Sequence, residues 1–169
     1  MTSPLIYLYV PGDRPERFGK ATASGTDAVV LDLEDAVPVA AKDAARIAVG
    51  TWLENRDRSG VPAWVRVNPG AELLDDLTMA VRCGGADGIW LPKCDDRATL
   101  ERVDRMLTDL ETQEDRPRTP VSPLIETGAA LERSGDRRRS PGRVRADRRG
   151  RPGRGPRGGH AGRRRRIAL

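Results

Sequence analysis

Three carboxylates close an apolar run between Ala28 and Pro38, where the chain reads Ala-Val-Val-Leu-Asp-Leu-Glu-Asp-Ala-Val-Pro. Ala28 to Leu31 can be buried on both faces, as a strand in a parallel sheet must be. Asp32, Glu34 and Asp35 cannot be buried without partners, because an unpaired buried carboxylate is very costly. Two readings are open. In one, the strand delivers its acids to a polar site at its C-terminal end, where α/β proteins carry function. Alternatively, the acids form an exposed loop that caps the next helix.

The same juxtaposition recurs along the chain. Apolar stretches end in Asp13-Arg14, in Arg66 and Asn68, in Lys93, and in Glu126. Each alone has an ordinary explanation: Arg66 as an ion pair, Lys93 as a solvated loop residue, Glu126 as a helix-capping acid. Five such ends together describe a site for an anionic, metal-chelating substrate. Carboxylates suit Mg²⁺, which takes one or two of them and leaves room for substrate oxygens. Arg66 suits a carboxylate, or a carbonyl oxygen that gains negative charge. The single histidine, His160, stands far from these motifs, which argues against histidine acid–base or triad chemistry.

The elements that must position these groups follow from periodicity. Strands are expected at Ile6–Val10, at Ala28–Leu31, at Ala63–Val67, at Gly88–Leu91 and at Pro120–Ile125, the last the least regular because of its two prolines. Between them lie helical patterns. A short helix opens at Asp13-Arg14-Pro15, with Asp13 as N-cap. A second runs from Pro38 to about Asn55 on a stripe of Ala40, Ala41, Ala44, Ala45, Ala48, Val49, Trp52 and Leu53. A third covers Leu73–Cys83 with Leu73, Leu74, Leu77, Ala80 and Val81 inward. A fourth covers Ala98–Glu114 with Leu100, Val103, Leu107 and Leu110 inward. Regular βα alternation implies parallel strands joined by right-handed crossovers. An open doubly wound sheet and a (β/α)8 barrel both fit, but no G-x-G-x-x-G follows the first strand, and convergent polar strand ends favour the barrel.

Composition divides the 169 residues in two. Residues 1–132 hold 15 basic and 23 acidic residues, a net charge of −8, whereas residues 133–169 hold 15 Arg, no Lys and 2 Asp, a net charge of +13. Cys83 and Cys94 form no C-x-x-C pair, which argues against a disulfide framework or zinc site. No basic n-region precedes Leu5-Ile6-Tyr7, and no run of 18 apolar residues exists, so neither a secretory leader nor a membrane span is expected. The expected location is cytoplasmic.

These strand ends resemble those of the citrate lyase β-subunit-like proteins, within the HpcH/HpaI aldolase superfamily. The resemblance rests on Leu8–Arg17 (LYVPGDRPER), Val30–Val37 (VLDLEDAV), Val65–Pro69 (VRVNP), Gly88–Lys93 (GIWLPK) and Pro123–Thr127 (PLIET), in that order, and covers Leu5 to about Leu131. It implies a Mg²⁺-dependent (β/α)8 lyase that cleaves CoA thioesters of hydroxy acids, such as citryl-CoA, malyl-CoA or citramalyl-CoA, to an acyl-CoA and an oxo acid. By the same resemblance Glu126 would be a metal ligand, and Arg66 would hold the developing enolate or the oxo-acid oxygens. Glu34 and Asp35 would orient Arg66 and the metal-bound water. Arg14 and Lys20 would meet the CoA phosphates, and Lys93 would contact substrate. Family members are expected to be homo-oligomers.

After Leu131 the family pattern stops. The family carries a Gly-x-x-Asp-Leu motif on its sixth strand, whose aspartate is the second metal ligand. Here the chain reads Arg-Ser-Gly-Asp-Arg-Arg-Arg from Arg133, and neither Asp136 nor Asp147 sits in that motif. The expected domains are therefore a partial barrel of five strands at 1–132 and a basic tail at 133–169. Three readings of the tail compete: a solvated disordered segment, a nucleic-acid-binding arm acting through charge, or frameshifted translation of GC-rich coding sequence. Fifteen Arg without a Lys favours the last, so nucleic acid is not the expected partner. A lyase lacking its second carboxylate is expected to be impaired; the alternative is a non-catalytic remnant, or a nucleic-acid-binding protein acting through the Arg-rich tail.

Overall fold

The computed structural model describes residues 4–128 and 131. The basic tail and the boundary proposed near residue 132 lie outside the described residues. Five strands alternate with four helices: β1 (Tyr7–Pro11), α1 (Phe18–Thr22), β2 (Ala28–Asp32), α2 (Lys42–Asn55), β3 (Ala63–Arg66), α3 (Leu73–Cys83), β4 (Gly88–Leu91), α4 (Arg97–Gln113) and β5 (Val121–Pro123). All neighbouring strands pair in parallel, in the order β1-β2-β3-β4-β5. That order never reverses. Right-handed crossovers between successive strands then place every helix on the same face of the sheet, as in an arc of a (β/α)8 barrel. A doubly wound sheet reverses its order at a switch point and covers both faces.

The two sheet faces differ in chemistry. Val10, Val29, Leu31, Ala63, Val65, Ile89, Leu91 and Val121 join Phe18, Ala45, Val49, Leu53, Leu77, Val103 and Leu107 from the helices in one apolar core. The register places Val30, Trp64 and Gly88 in line across the sheet, and Asp32, Arg66 and Trp90 in line one step further on. Residues in line share a face, so this second face carries Trp64, Trp90 and Arg66. Tyr7 and Tyr9 meet it from β1, with Tyr7 5.0 Å and Tyr9 5.5 Å from the Trp90 ring. Gly88 leaves room for this packing: a Cβ there would lie 2.2 Å from the Trp64 ring.

Several details differ from the sequence reading. β5 is only Val121–Pro123, since Pro120 before it and Pro123 at its end have no backbone N–H to donate. Asp13 caps no helix; the first turn is a 3₁₀ turn at Pro15–Arg17 with no side-chain cap. Ala40 and Ala44 are exposed. A 3₁₀ turn at Val39–Ala41 precedes α2 and shifts the phase of the helix. The buried stripe is Ala45, Val49 and Leu53, at i, i+4 and i+8. Leu74 is also exposed, because Leu73, Leu77, Ala80 and Val81 already define the inner face of α3. Asp96, unforeseen, caps α4 by accepting the Thr99 amide at 2.7 Å.

Candidate active site at the strand ends

Asp32 is the last residue of β2 and Arg66 the last of β3, and the two are register partners. The carboxylate therefore meets the guanidinium side by side. Arg66 Nε donates to Asp32 Oδ1 at 2.8 Å, and Arg66 Nη2 to Oδ2 at 2.5 Å, a bidentate fork. Asp32 is 1 % exposed. Its burial is tolerated because the same two oxygens also accept backbone amides: Glu34 N at 2.8 Å and Ala36 N at 3.3 Å. The fork raises the Arg66 pKa, against the opposing pull of desolvation. The guanidinium is thus a permanent cation. Its carbon also sits 5.1 Å from the centroid of the Tyr9 ring, at cation–π distance.

Glu34, buried in the turn after β2, bridges two cations. Its Oε2 lies 3.1 Å from Arg66 Nη1 and its Oε1 2.9 Å from Lys93 Nζ. Neither oxygen accepts a well-aligned hydrogen bond, so the contact is ionic rather than directional. Asp35 is exposed and touches only this rim, 3.8 Å from Lys93 Nζ. It makes no ion pair with Arg66; the bidentate partner is Asp32, which the motif reading passed over in favour of Glu34 and Asp35. The position of Asp32 within the strand, rather than in the loop, is the signal that could have found it.

Lys93 follows β4 in a left-handed conformation, φ 51°, which a non-glycine residue seldom adopts. That turn directs its amide to Glu126 Oε2 at 2.9 Å, joining the ends of β4 and β5. The Lys93 pKa is raised, chiefly by its close ionic contact with Glu34. Four strand ends, β2 to β5, are thereby linked through Asp32, Arg66, Glu34, Lys93 and Glu126. Arg14 stands at the end of β1, exposed, with its Nε 3.8 Å from Asp13. Lys20 is exposed on α1. Among the described residues, no ion pair joins Arg14 or Lys20 to Asp32, Glu34 or Glu126.

Glu126 is exposed, with one oxygen engaged by the Lys93 amide and a carboxylate charge available to a cation. Among the described residues, no group of three or more histidine, cysteine or acidic side chains is arranged to hold a metal ion. Mg²⁺ needs only one or two carboxylates and fills its remaining positions with water or substrate oxygens, which Glu126 fits through the oxygen not engaged by the Lys93 amide. No described helix is long and apolar enough to cross a membrane.

Comparison with known proteins agrees with this arrangement. The HpcH/HpaI aldolase/citrate lyase family model matches residues 5–136. The citrate lyase subunit beta of Leuconostoc mesenteroides subsp. cremoris is 34% identical over 113 residues, 65% of this chain and 37% of the relative. A (3S)-malyl-CoA thioesterase of Cereibacter sphaeroides is 36% identical over 129 residues, 73% of this chain and 41% of the relative. Among solved structures, the Mycobacterium tuberculosis citrate lyase beta subunit complexed with oxaloacetate and magnesium superposes with a TM-score of 0.53 at 30% identity, covering 75% of this chain and 49% of the other. The chain thus spans less than half the length of the relatives it matches. A barrel-type arc of parallel strands, an arginine forked by its register partner and a family match across all five strands lead to one conclusion: the chain belongs to the HpcH/HpaI aldolase/citrate lyase family.

Proposed function

We propose that this chain serves a carbon–carbon lyase reaction on a hydroxyacyl-CoA thioester of the citryl-, malyl- or citramalyl-CoA type, yielding an acyl-CoA and an oxo acid. The observation that carries the reading is Arg66, held at the strand ends by Asp32. Guanidinium has five N–H donors. Asp32 takes two and Glu34 engages a third nitrogen, leaving donors for substrate oxygens. Cleavage places negative charge on oxygen as the carbon–carbon bond breaks. A permanent cation, already oriented and partly withdrawn from water, stabilises that charge with little reorganisation. In this reading Glu34 and Asp35 tune the rim, Lys93 meets a substrate carboxylate, and Arg14 and Lys20 attract the CoA phosphates through long-range charge.

Magnesium belongs to the same reading through the relative solved with oxaloacetate and magnesium. Glu126 is the residue of this chain proposed to face the metal. Bound there, the metal would add its charge to that of Arg66 in stabilising the developing oxyanion.

The relative named as a (3S)-malyl-CoA thioesterase favours a second reading, hydrolysis of the thioester instead of carbon–carbon cleavage. Products separate the two. Purified chain would be incubated with citryl-CoA, malyl-CoA and citramalyl-CoA, with and without Mg²⁺, and acyl-CoA, oxo acid and free CoA thiol measured. In parallel, oxaloacetate and pyruvate binding would be measured by calorimetry. The lyase reading expects oxo-acid binding that is lost in Arg66→Ala, and any turnover to give acyl-CoA and oxo acid in equal amounts. Free CoA thiol without oxo acid selects the thioesterase. No oxo-acid binding and no turnover of any thioester would refute the assignment.

A further inference from the structure

We infer that Lys42 is a positioning residue for the anion-binding site, acting from the helix side of the sheet. It is the first residue of α2. A cation in the first turn of a helix opposes the helix dipole, so the residue does not serve the helix. Its contacts show what it does serve. Lys42 Nζ donates to Leu33 O at 2.7 Å, to Glu34 O at 2.8 Å and to Asn68 Oδ1 at 2.6 Å. The three donors of the ammonium meet three acceptors, all neutral.

Two of those acceptors belong to the acid turn after β2 and the third to the residue two positions beyond Arg66. Lys42 therefore ties the two loops that carry the Asp32–Arg66–Glu34 cluster. Asn68 is itself fixed from below. Its backbone N and Nδ2 donate to Asp76 Oδ2 at 2.7 and 2.9 Å, and Asp76, fully buried, accepts Arg46 Nε on Oδ1 at 2.7 Å. The chain of contacts runs from α2 and α3 through Asn68 and Lys42 to the carbonyls of Leu33 and Glu34. Without the ammonium these two carbonyls and Asn68 Oδ1 lose a shared donor, and the turn that presents the Glu34 carboxylate to Arg66 and Lys93 is released. A misplacement of about 1 Å in such a site costs on the order of a hundredfold in function.

This inference rests on the oxo-acid reading for its ligand but not for its structural claim, and two measurements keep them apart. Lys42→Met and the milder Lys42→Gln would be compared with the wild-type full chain by hydrogen exchange and by titration with oxaloacetate in the presence of Mg²⁺. In Lys42→Met the amides of Glu34, Ala36 and Val37 are expected to exchange at least about tenfold faster, while β2 and β3 ladder amides change little, because the opening is local. Oxaloacetate affinity is expected to fall by about tenfold or more in Lys42→Met, and less in Lys42→Gln, which retains a donor. Equal acceleration across the whole sheet would mean loss of global stability and would overturn the positioning role. Unchanged exchange at Glu34–Val37 in both variants, or unchanged affinity despite a loosened turn, would overturn it also. A wild-type chain that ignores oxaloacetate, with local loosening intact, would instead refute the lyase reading and leave Lys42 as the clamp of the acid turn.

Discussion

Breaking the fork between Asp32 and Arg66 is the perturbation whose size follows most directly from the structure. Asp32→Asn keeps the side chain's volume but removes its charge and turns one acceptor into a donor. Asp32 serves four donors: Arg66 Nε and Nη2, and the amides of Glu34 and Ala36. Removing one partner of a buried ion pair costs about 3–5 kcal/mol, because the other charge is stranded. Arg66 keeps Glu34 at 3.1 Å and its side chain is 14% exposed, which places the cost near the lower end. About 3 kcal/mol is therefore expected for Asp32→Asn. Arg66→Met leaves Asp32 with its two amide donors and should cost somewhat less. The double variant removes both charges together, so its cost should fall short of the sum, with a coupling of about 2 kcal/mol. Urea unfolding followed by the fluorescence of Trp52, Trp64 and Trp90 measures all four corners of the cycle. A coupling under about 0.5 kcal/mol, the additivity expected of independent sites, would refute the claim that Asp32 is what holds Arg66.

Two further outcomes follow. Gly85→Ala would place a Cβ 1.9 Å from the Leu53 carbonyl oxygen, which is helix backbone and cannot yield, whereas Gly19 has nothing within 4 Å. Gly85→Ala should lower stability by about 1–3 kcal/mol or more, and Gly19→Ala should leave it unchanged or raise it slightly; thermal unfolding that ranks them the other way would refute this packing. Burial raises the pKa of both Cys83 and Cys94. A folded-state thiol pKa above the unfolded one contributes stability that is complete below the unfolded value, about 8.5, and is lost as pH rises through the folded value. The melting temperature should thus decline above about pH 8.5, less steeply in Cys83→Ala; a slope identical in the variant would exclude this thiol as the cause.

Much of the architecture was legible in the sequence because parallel strands buried on both faces must be written as continuous apolar runs. Ala28–Leu31 and Gly88–Leu91 are such runs, and the alternation of strands with amphipathic helices left parallel pairing as the simplest topology. The polar strand ends were legible for the complementary reason: charges that cannot enter the core must stand where the strand leaves it. Tertiary structure alone decided how those charges pair. Asp32 and Arg66 are 34 residues apart, and only the register of β2 on β3 makes them neighbours while leaving Asp35 on the rim. Only the packing of α2 against the sheet brings Lys42 to Asn68, 26 residues away. The left-handed turn that sends the Lys93 amide to Glu126 is likewise invisible in a lysine, a residue with no preference for that conformation. Local periodicity determines which face of each element is buried, but partner choice among charges depends on distances that arise only when the strands are laid side by side.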